Sequence, residues 1–317
     1  TFYLSVEQFG VIALLMISGM LIGSIVFAPE RMAIIRFYYD PSCEKRRKEL
    51  FFNLFLFIFL KTVLMALLFY CCAHWIALSL LQKYQYTGLV KLFSLFILLQ
   101  PLFQLCFVFL RMDERAKVYI TYSILNFLCT VSTTLFFLIA YEYGPQAVIL
   151  GRIVGMALIV ILLLRYLLSK FRLSFDLSLV RPACRYGYPL ILSSVSNLLI
   201  QSGDRYVLNY FLTVGVVGVY SFGYKIAGIM SFLFVLPAKQ VLDPITYKME
   251  KDPEQLRHFI RDITTYIYAL LLFVWLAFAF FTEEIVGVFS SRPAYFVSVR
   301  IIPIILFCYA QHGVGIL

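Results

Sequence analysis

Four basic side chains stand where a charge is costly. Lys61 lies in FLFIFLKTVLMALLF, Arg152 in AVILGRIVGMALIV, Arg205 in LLIQSGDRYVLNYF and Lys225 in VGVYSFGYKIAGIM. A charge inside a long apolar run marks either an ion pair or a polar pathway. The Lys61 stem is too short to span the roughly 15 Å from mid-membrane to either surface. It therefore pairs with an acid on another helix or faces a polar lumen, and Lys225 has the same two choices. Arg152 is closer to an end of its run, so snorkelling to the interface competes with function. Asp204 and Arg205 are neighbours, about 100° apart on a helix, so each is expected to find its partner elsewhere. For Asp204 that means a salt bridge within the protein or a role in coupling to an ion. Arg205 carries a planar fork that matches two phosphate oxygens at once. Four bases against one acid leave a cationic surplus, which calls for an anionic ligand.

Other chemistries find little footing. The seven cysteines and three histidines are scattered through apolar runs and basic loops, with no metal-ligand spacing and no disulfide framework. No GxxxxGK[ST] loop is present to cradle a nucleotide phosphate. Glu283 and Glu284 are adjacent, without a histidine near them. No enzyme is expected here, and neither a cofactor nor a metal.

The elements that must hold those charges are apolar helices. The chain is 62% hydrophobic and 14% charged, with a mean hydropathy of +0.90. Nine runs are long enough to cross a bilayer as helices, at about 10–28, 50–72, 88–110, 118–140, 146–168, 188–212, 215–237, 259–281 and 296–315. Strand-like alternation is absent, so the expected class is an all-α polytopic membrane protein rather than a β-barrel. The net charge of +10 is distributed by topology. Arg31, Arg36, Lys45, Arg46, Arg47 and Lys48 follow the first run, whereas 141–146 holds no base, and this alternation continues along the chain. Under the positive-inside rule the basic loops face the cytoplasm and residue 1 lies on the outer side. No nucleic-acid partner is implied. The first residue is Thr1 and the last, Leu317, stands in an apolar run. A fragment lacking the first helix and the last several is the expectation.

The chain also repeats itself. Leu4, Val6, Gly10 and Val11 in YLSVEQFGV match Leu212, Val214, Gly218 and Val219 in FLTVGVVGV, 208 residues on. At the same offset Pro29 meets Pro237, Arg31 meets Lys239 and Tyr39 meets Tyr247. Both copies run from an outer turn through one span to a proline and then to basic residues. That is a parallel repeat. Two helical lobes follow, at 1–169 and 188–317, joined by a cytoplasmic connector at 170–187.

The stretch SNLLIQSGDRYVLNYFLTVGVVGVYSFGYKIAG (Ser196 to Gly228) closely resembles the polysaccharide-unit flippases of bacteria, the Wzx type, which handle O-antigen units. These belong to the MOP superfamily with the MATE exporters and the lipid II flippase MurJ. EQFGVIAL and IIRFYYD…EKRRKELF look like the early helices of that family. The resemblance implies 12 to 14 spans and a place in the bacterial cytoplasmic (inner) membrane. It also implies flipping of a polyprenyl-pyrophosphate-linked oligosaccharide by alternating access, driven by a coupling ion, proton or sodium. Lys61, Arg152, Arg205 and Lys225 would then line a cationic cavity for the pyrophosphate, with Tyr206, Tyr220 and Tyr224 as candidate platforms for sugar rings. A MATE-like antiporter of cations is the alternative, and a membrane-embedded polymerase or ligase a more distant one.

Overall fold

The computed structural model describes residues 3–40, 44, 46–249 and 253–315, and these are helical almost throughout, without strands. Cys43, Lys45 and Lys251 lie outside the described residues. The chain forms two compact units: 11–212, and 1–10 together with 213–317.

Within 11–212 the helices are α1 (Val6–Val26, entering from the other unit), α2 (Ala28–Tyr38), α3 (Arg47–Cys71), α4 (Ala73–Leu81), α5 (Thr87–Met112), α6 (Ala116–Ala140), α7 (Pro145–Ser169), α8 (Leu177–Gly187), α9 (Pro189–Ser202) and α10 (Asp204–Phe211). Phe27, Ile34, Phe51, Leu54, Phe109, Ile159 and Leu163 form the buried core. Thr130 and Thr134 of α6 press against Gly155 and Gly151 of α7, where an added Cβ would lie 2.2 and 2.0 Å from a threonine hydroxyl. That is small-residue packing of the kind used between helices in lipid. α6 buries none of its residues, and it shows Ile120, Ile124, Phe127, Leu128 and Phe136 on its outside. In water such a face would be a liability, while in a bilayer it is the solvated face.

The other unit contains α11 (Val214–Met230), a π-helical turn (Ser231–Val235), α12 (Leu236–Met249), α13 (Pro253–Phe280), α14 (Thr282–Phe289), a 3-10 stretch (Pro293–Arg300) and α15 (Ile302–Gly315). Its core gathers Phe9, Phe222, Tyr295, Ile302 and Leu306. The Tyr295 hydroxyl donates to the Leu4 or Ser5 carbonyl, each at 3.2 Å.

Seven helices among the described residues, against the nine runs expected, are long and apolar enough to cross a membrane, and the pair Pro293–Arg300 and Ile302–Gln311, bent by 44°, makes an eighth if it is taken as one span. The expected span 188–212 is broken instead, into α9 and α10. The cause is Asp204. Its Oδ1 accepts the Arg205 backbone N–H at 2.9 Å, taking the place of the Gln201 carbonyl, which accepts the Arg205 guanidinium at 3.0 Å. A short acid beside a glycine competes with the helix ladder for its own backbone donors.

The repeat is structural. Ser5 caps α1 in a capping box with Gln8: the Gln8 N–H donates to Ser5 Oγ, and the Ser5 N–H to Gln8 Oε1. Its counterpart Thr213 caps α11 by accepting from the Val216 N–H. α1 then breaks ahead of its matched proline, whereas α11 runs through the π-helical turn into α12 ahead of its own. α2 begins at Ala28 with Pro29 next, and α12 begins at Leu236 with Pro237 next. Proline lacks the N–H that would continue the ladder, so the regular α-helix is disturbed at the matched place in both copies, by a break in one and a π-helical turn in the other. Gly10 and Gly218 meet reciprocally. A Cβ on Gly10 would lie 2.0 Å from the Val214 carbonyl oxygen, and one on Gly218 would lie 1.9 Å from that of Val6. Contact of i with j and of j with i is the signature of a local two-fold axis.

Candidate functional site

The charges expected to form one cavity are distributed among separate partners. Lys61, on α3, donates to Glu30 Oε1 at 2.6 Å, and Glu30 on α2 is 1% exposed. The Lys61 ammonium also lies near the Phe57 and Tyr188 rings, at 4.9 and 5.7 Å. Of its two expected states, this structure takes the pair. Glu30 escaped notice in the sequence because it sits beside a proline in what reads as a cytoplasmic loop. The break at Phe27 carries it back against α3.

Asp204 and Arg205 correct the expectation that each would look elsewhere. Arg205 Nη1 lies 3.0 Å from Asp204 Oδ1, and Arg205 is 8% exposed. Spacing by Cα direction ignored the length of arginine, whose side chain folds back along its own helix. Tyr206 is likewise occupied, its hydroxyl 2.9 Å from Ser18 Oγ. Asn209 Nδ2 donates to the Leu80 carbonyl and Gln82 Nε2 to the Asn209 carbonyl, fastening α10 to the end of α4. Arg152 is exposed on α7. Lys225 belongs to the other unit, where its ammonium lies 4.3 Å from the centre of the Phe9 ring. Tyr220 and Tyr224 lie beside each other there, with centroids 4.8 Å apart and ring planes tilted by 52°.

At the end of unit 11–212 that carries the basic residues, Asp113 accepts hydrogen bonds from the Tyr38 hydroxyl, the Tyr166 hydroxyl and the Lys170 ammonium. Burial works to raise its pKa, but those three donors outweigh it and hold the carboxyl below its ordinary value. Tyr38 is pushed up to about 12, by burial first and then by the Asp113 bond. This cluster ties α2, α5 and α7 together.

A different place has the properties expected of an anion site. A cavity of about 340 Å³ opens between α2, α5 and α6. Its α5 wall is Gln104, Phe107, Val108 and Arg111, and its α6 wall is Tyr119, Ser123 and Asn126. Each set follows helical spacing along one face. Arg31 completes the lining from α2. A second cavity, of about 200 Å³, shares Arg31 and Gln104 and continues past Gln100 toward Ser24. Among the described residues no carboxylate lines either one. Arg31 Nε is buried without a hydrogen-bond partner, as is Asn126 Oδ1. Burial, and then the nearby Arg111 charge, hold the Arg31 guanidinium below its ordinary value. Neither arginine stands out in the sequence, because each reads as an ordinary positive charge at the inner end of a span.

Comparison with known proteins follows this geometry. The family described as "Polysaccharide biosynthesis protein" matches residues 3–293. Among solved structures, the chain is similar to an inward-facing multidrug resistance MATE family transporter of the MOP superfamily. The TM-score is 0.70 at 13% identity, covering 98% of this chain and 78% of that one. It is also similar to the Vibrio cholerae MATE transporter VcmN in its bent form, with a TM-score of 0.53 at 14% identity, covering 98% and 82%. At such identities the likeness establishes the fold. No curated protein matches by sequence.

Proposed function

Because the chain belongs to the polysaccharide biosynthesis protein family, we propose that it flips a polyprenyl-pyrophosphate-linked oligosaccharide across the bacterial cytoplasmic membrane. The observation that supports this is a polysaccharide-biosynthesis sequence carried, over 98% of its length, on the fold of membrane exporters. Lobes 1–169 and 188–317 rock in alternating access, with the basic loops in the cytoplasm, residue 1 outside, and a proton or sodium gradient as the drive. Arg152 offers positive charge to the anionic carrier, and Lys225 joins it by exchanging the partners it holds in this conformation. Lys61 and Arg205 contribute only by exchanging the carboxylates they hold in this conformation.

The cation-antiporter reading gains no support from the buried acids. Glu30 is committed to Lys61, and Asp204 to Arg205. The deciding experiment reconstitutes the full-length protein in vesicles containing a fluorescent polyprenyl-diphosphate oligosaccharide. A membrane-impermeant quencher then reports the fraction facing outward. Gradient-dependent growth of that fraction is expected. Absence of flipping, with export of cationic dyes in the same vesicles, would replace this reading by the antiporter.

A further inference from the structure

We infer that the cavity between Arg31 and Arg111 is a binding site for a phosphoryl anion, of the diphosphate class. Several independent features lead there. The polar groups around it are two guanidiniums, the Gln104 and Asn126 amides, the Tyr119 hydroxyl, and the Ser123 hydroxyl, which already donates to the Tyr119 carbonyl, and no acid lines it among the described residues. Three other bases of this unit have found a carboxylate, Lys61 with Glu30, Lys170 with Asp113 and Arg205 with Asp204, while Arg36, Arg47 and Lys91 lie over the rings of Tyr186, Tyr38 and Tyr70. Arg31 and Arg111 have no carboxylate among the described residues, and Arg31 Nε is buried and unbonded. Two like charges brought to one cavity repel each other, and one of them is partly desolvated. A dianion between them removes both costs and fills the orphaned donor.

The shape fits the charge. Arg111 stands on the last turn of α5, and Gln104 lies two turns back on the same face, about 10 Å along the axis. The adjoining cavity carries the polar lining onward from Arg31 and Gln104 to Gln100. A diphosphate held by the arginines would therefore meet amides, not hydrocarbon, on moving deeper into the unit. None of Lys61, Arg152, Arg205 and Lys225 lines either cavity. The inference deepens the flippase reading, and rests on it only for which diphosphate arrives.

The test uses the full-length protein in phosphatidylcholine nanodiscs, titrated with inorganic pyrophosphate and, separately, with polyprenyl diphosphate. Arg31→Gln and Arg111→Gln are each expected to weaken pyrophosphate binding about tenfold or more, the scale of one lost charge-assisted bidentate contact. Arg31→Lys and Arg111→Lys should fall between, keeping charge without the fork. Arg261→Gln, at an exposed ion pair, should leave binding unchanged. In the unmodified protein, pyrophosphate should protect Arg31 and Arg111 from phenylglyoxal, a readout that needs no variant to fold.

Unprotected arginines, or Gln variants that bind as the parent does, would overturn the site. Displacement of pyrophosphate by phosphatidylglycerol as readily as by polyprenyl diphosphate would support the site and assign it to a phospholipid headgroup. If the parent flips the lipid-linked saccharide and both Gln variants flip it equally well, the site is wrong and the flippase stands. If pyrophosphate protects both arginines while no flipping occurs, the site stands and the flippase is wrong.

Discussion

Glu30 and Arg31 are consecutive residues on one helix and meet opposite circumstances. Glu30 turns to α3, is almost wholly buried and grips Lys61 at 2.6 Å. Arg31 turns to α5 and α6, lines a cavity with a second arginine and leaves its Nε unbonded. Both bear charge at about the same depth. The first charge is balanced inside the protein and so holds helices together. The second is balanced by nothing in the described residues, and so is available for something that comes and goes.

The contrast can be broken most severely at the balanced pair. Lys61→Met leaves the Glu30 carboxyl buried without its partner, a loss of about 3–5 kcal/mol. Adding Glu30→Gln to that variant should restore most of the stability. Thermal unfolding in detergent reads both. A single variant as stable as the parent would mean the pair is not structural.

Next in size is a packing contact with no charge at all. Gly10→Ala puts a methyl 2.0 Å from the Val214 carbonyl oxygen, and Gly218→Ala does the same against Val6. Either should cost about 1–3 kcal/mol by forcing the helices apart. The reciprocity predicts that the two substitutions cost similar amounts. Very different melting temperatures for the two variants would argue against the two-fold contact.

Asp113 sharpens the comparison with a third arrangement, an acid over-supplied with donors. Its pKa is depressed in the folded protein, so its contribution is fully present above the unfolded value near 4 and is lost as pH falls through the lower folded value. Asp113→Asn should cost about 1.5–3 kcal/mol at neutral pH. It should also flatten the acid limb of a stability-against-pH curve. An unchanged acid limb would mean that other carboxylates carry it.

The smallest effect is expected at Arg31 itself. Without an anion, Arg31→Gln should change stability by no more than about 0.5 kcal/mol, since no internal partner is lost. Added pyrophosphate should raise the melting temperature of the parent and not of the variant. A large loss of stability without ligand would show that Arg31 belongs with Glu30 as a structural charge.

The sequence by itself determined the class, most of the spans and the repeat, because these are written in local order, while the expected span 188–212 is broken in the structure. Hydropathy over about 20 residues is set by composition along the chain. A capping hydroxyl, a glycine five residues on and a proline beyond act on their own segment of backbone, so Ser5 and Thr213, Gly10 and Gly218, and Pro29 and Pro237 could be matched by counting. The tertiary structure decided which charges are spent. Lys61 gave no sign of Glu30, 31 residues before it across a helix break, and Arg205 gave no sign that its side chain would fold back onto Asp204. Arg31 and Arg111, 80 residues apart, became one site only when α2 and α5 packed with α6 around a shared cavity. Whether a charge is satisfied depends on the atoms within a few ångströms of it, and long-range packing, not sequence spacing, chooses those atoms.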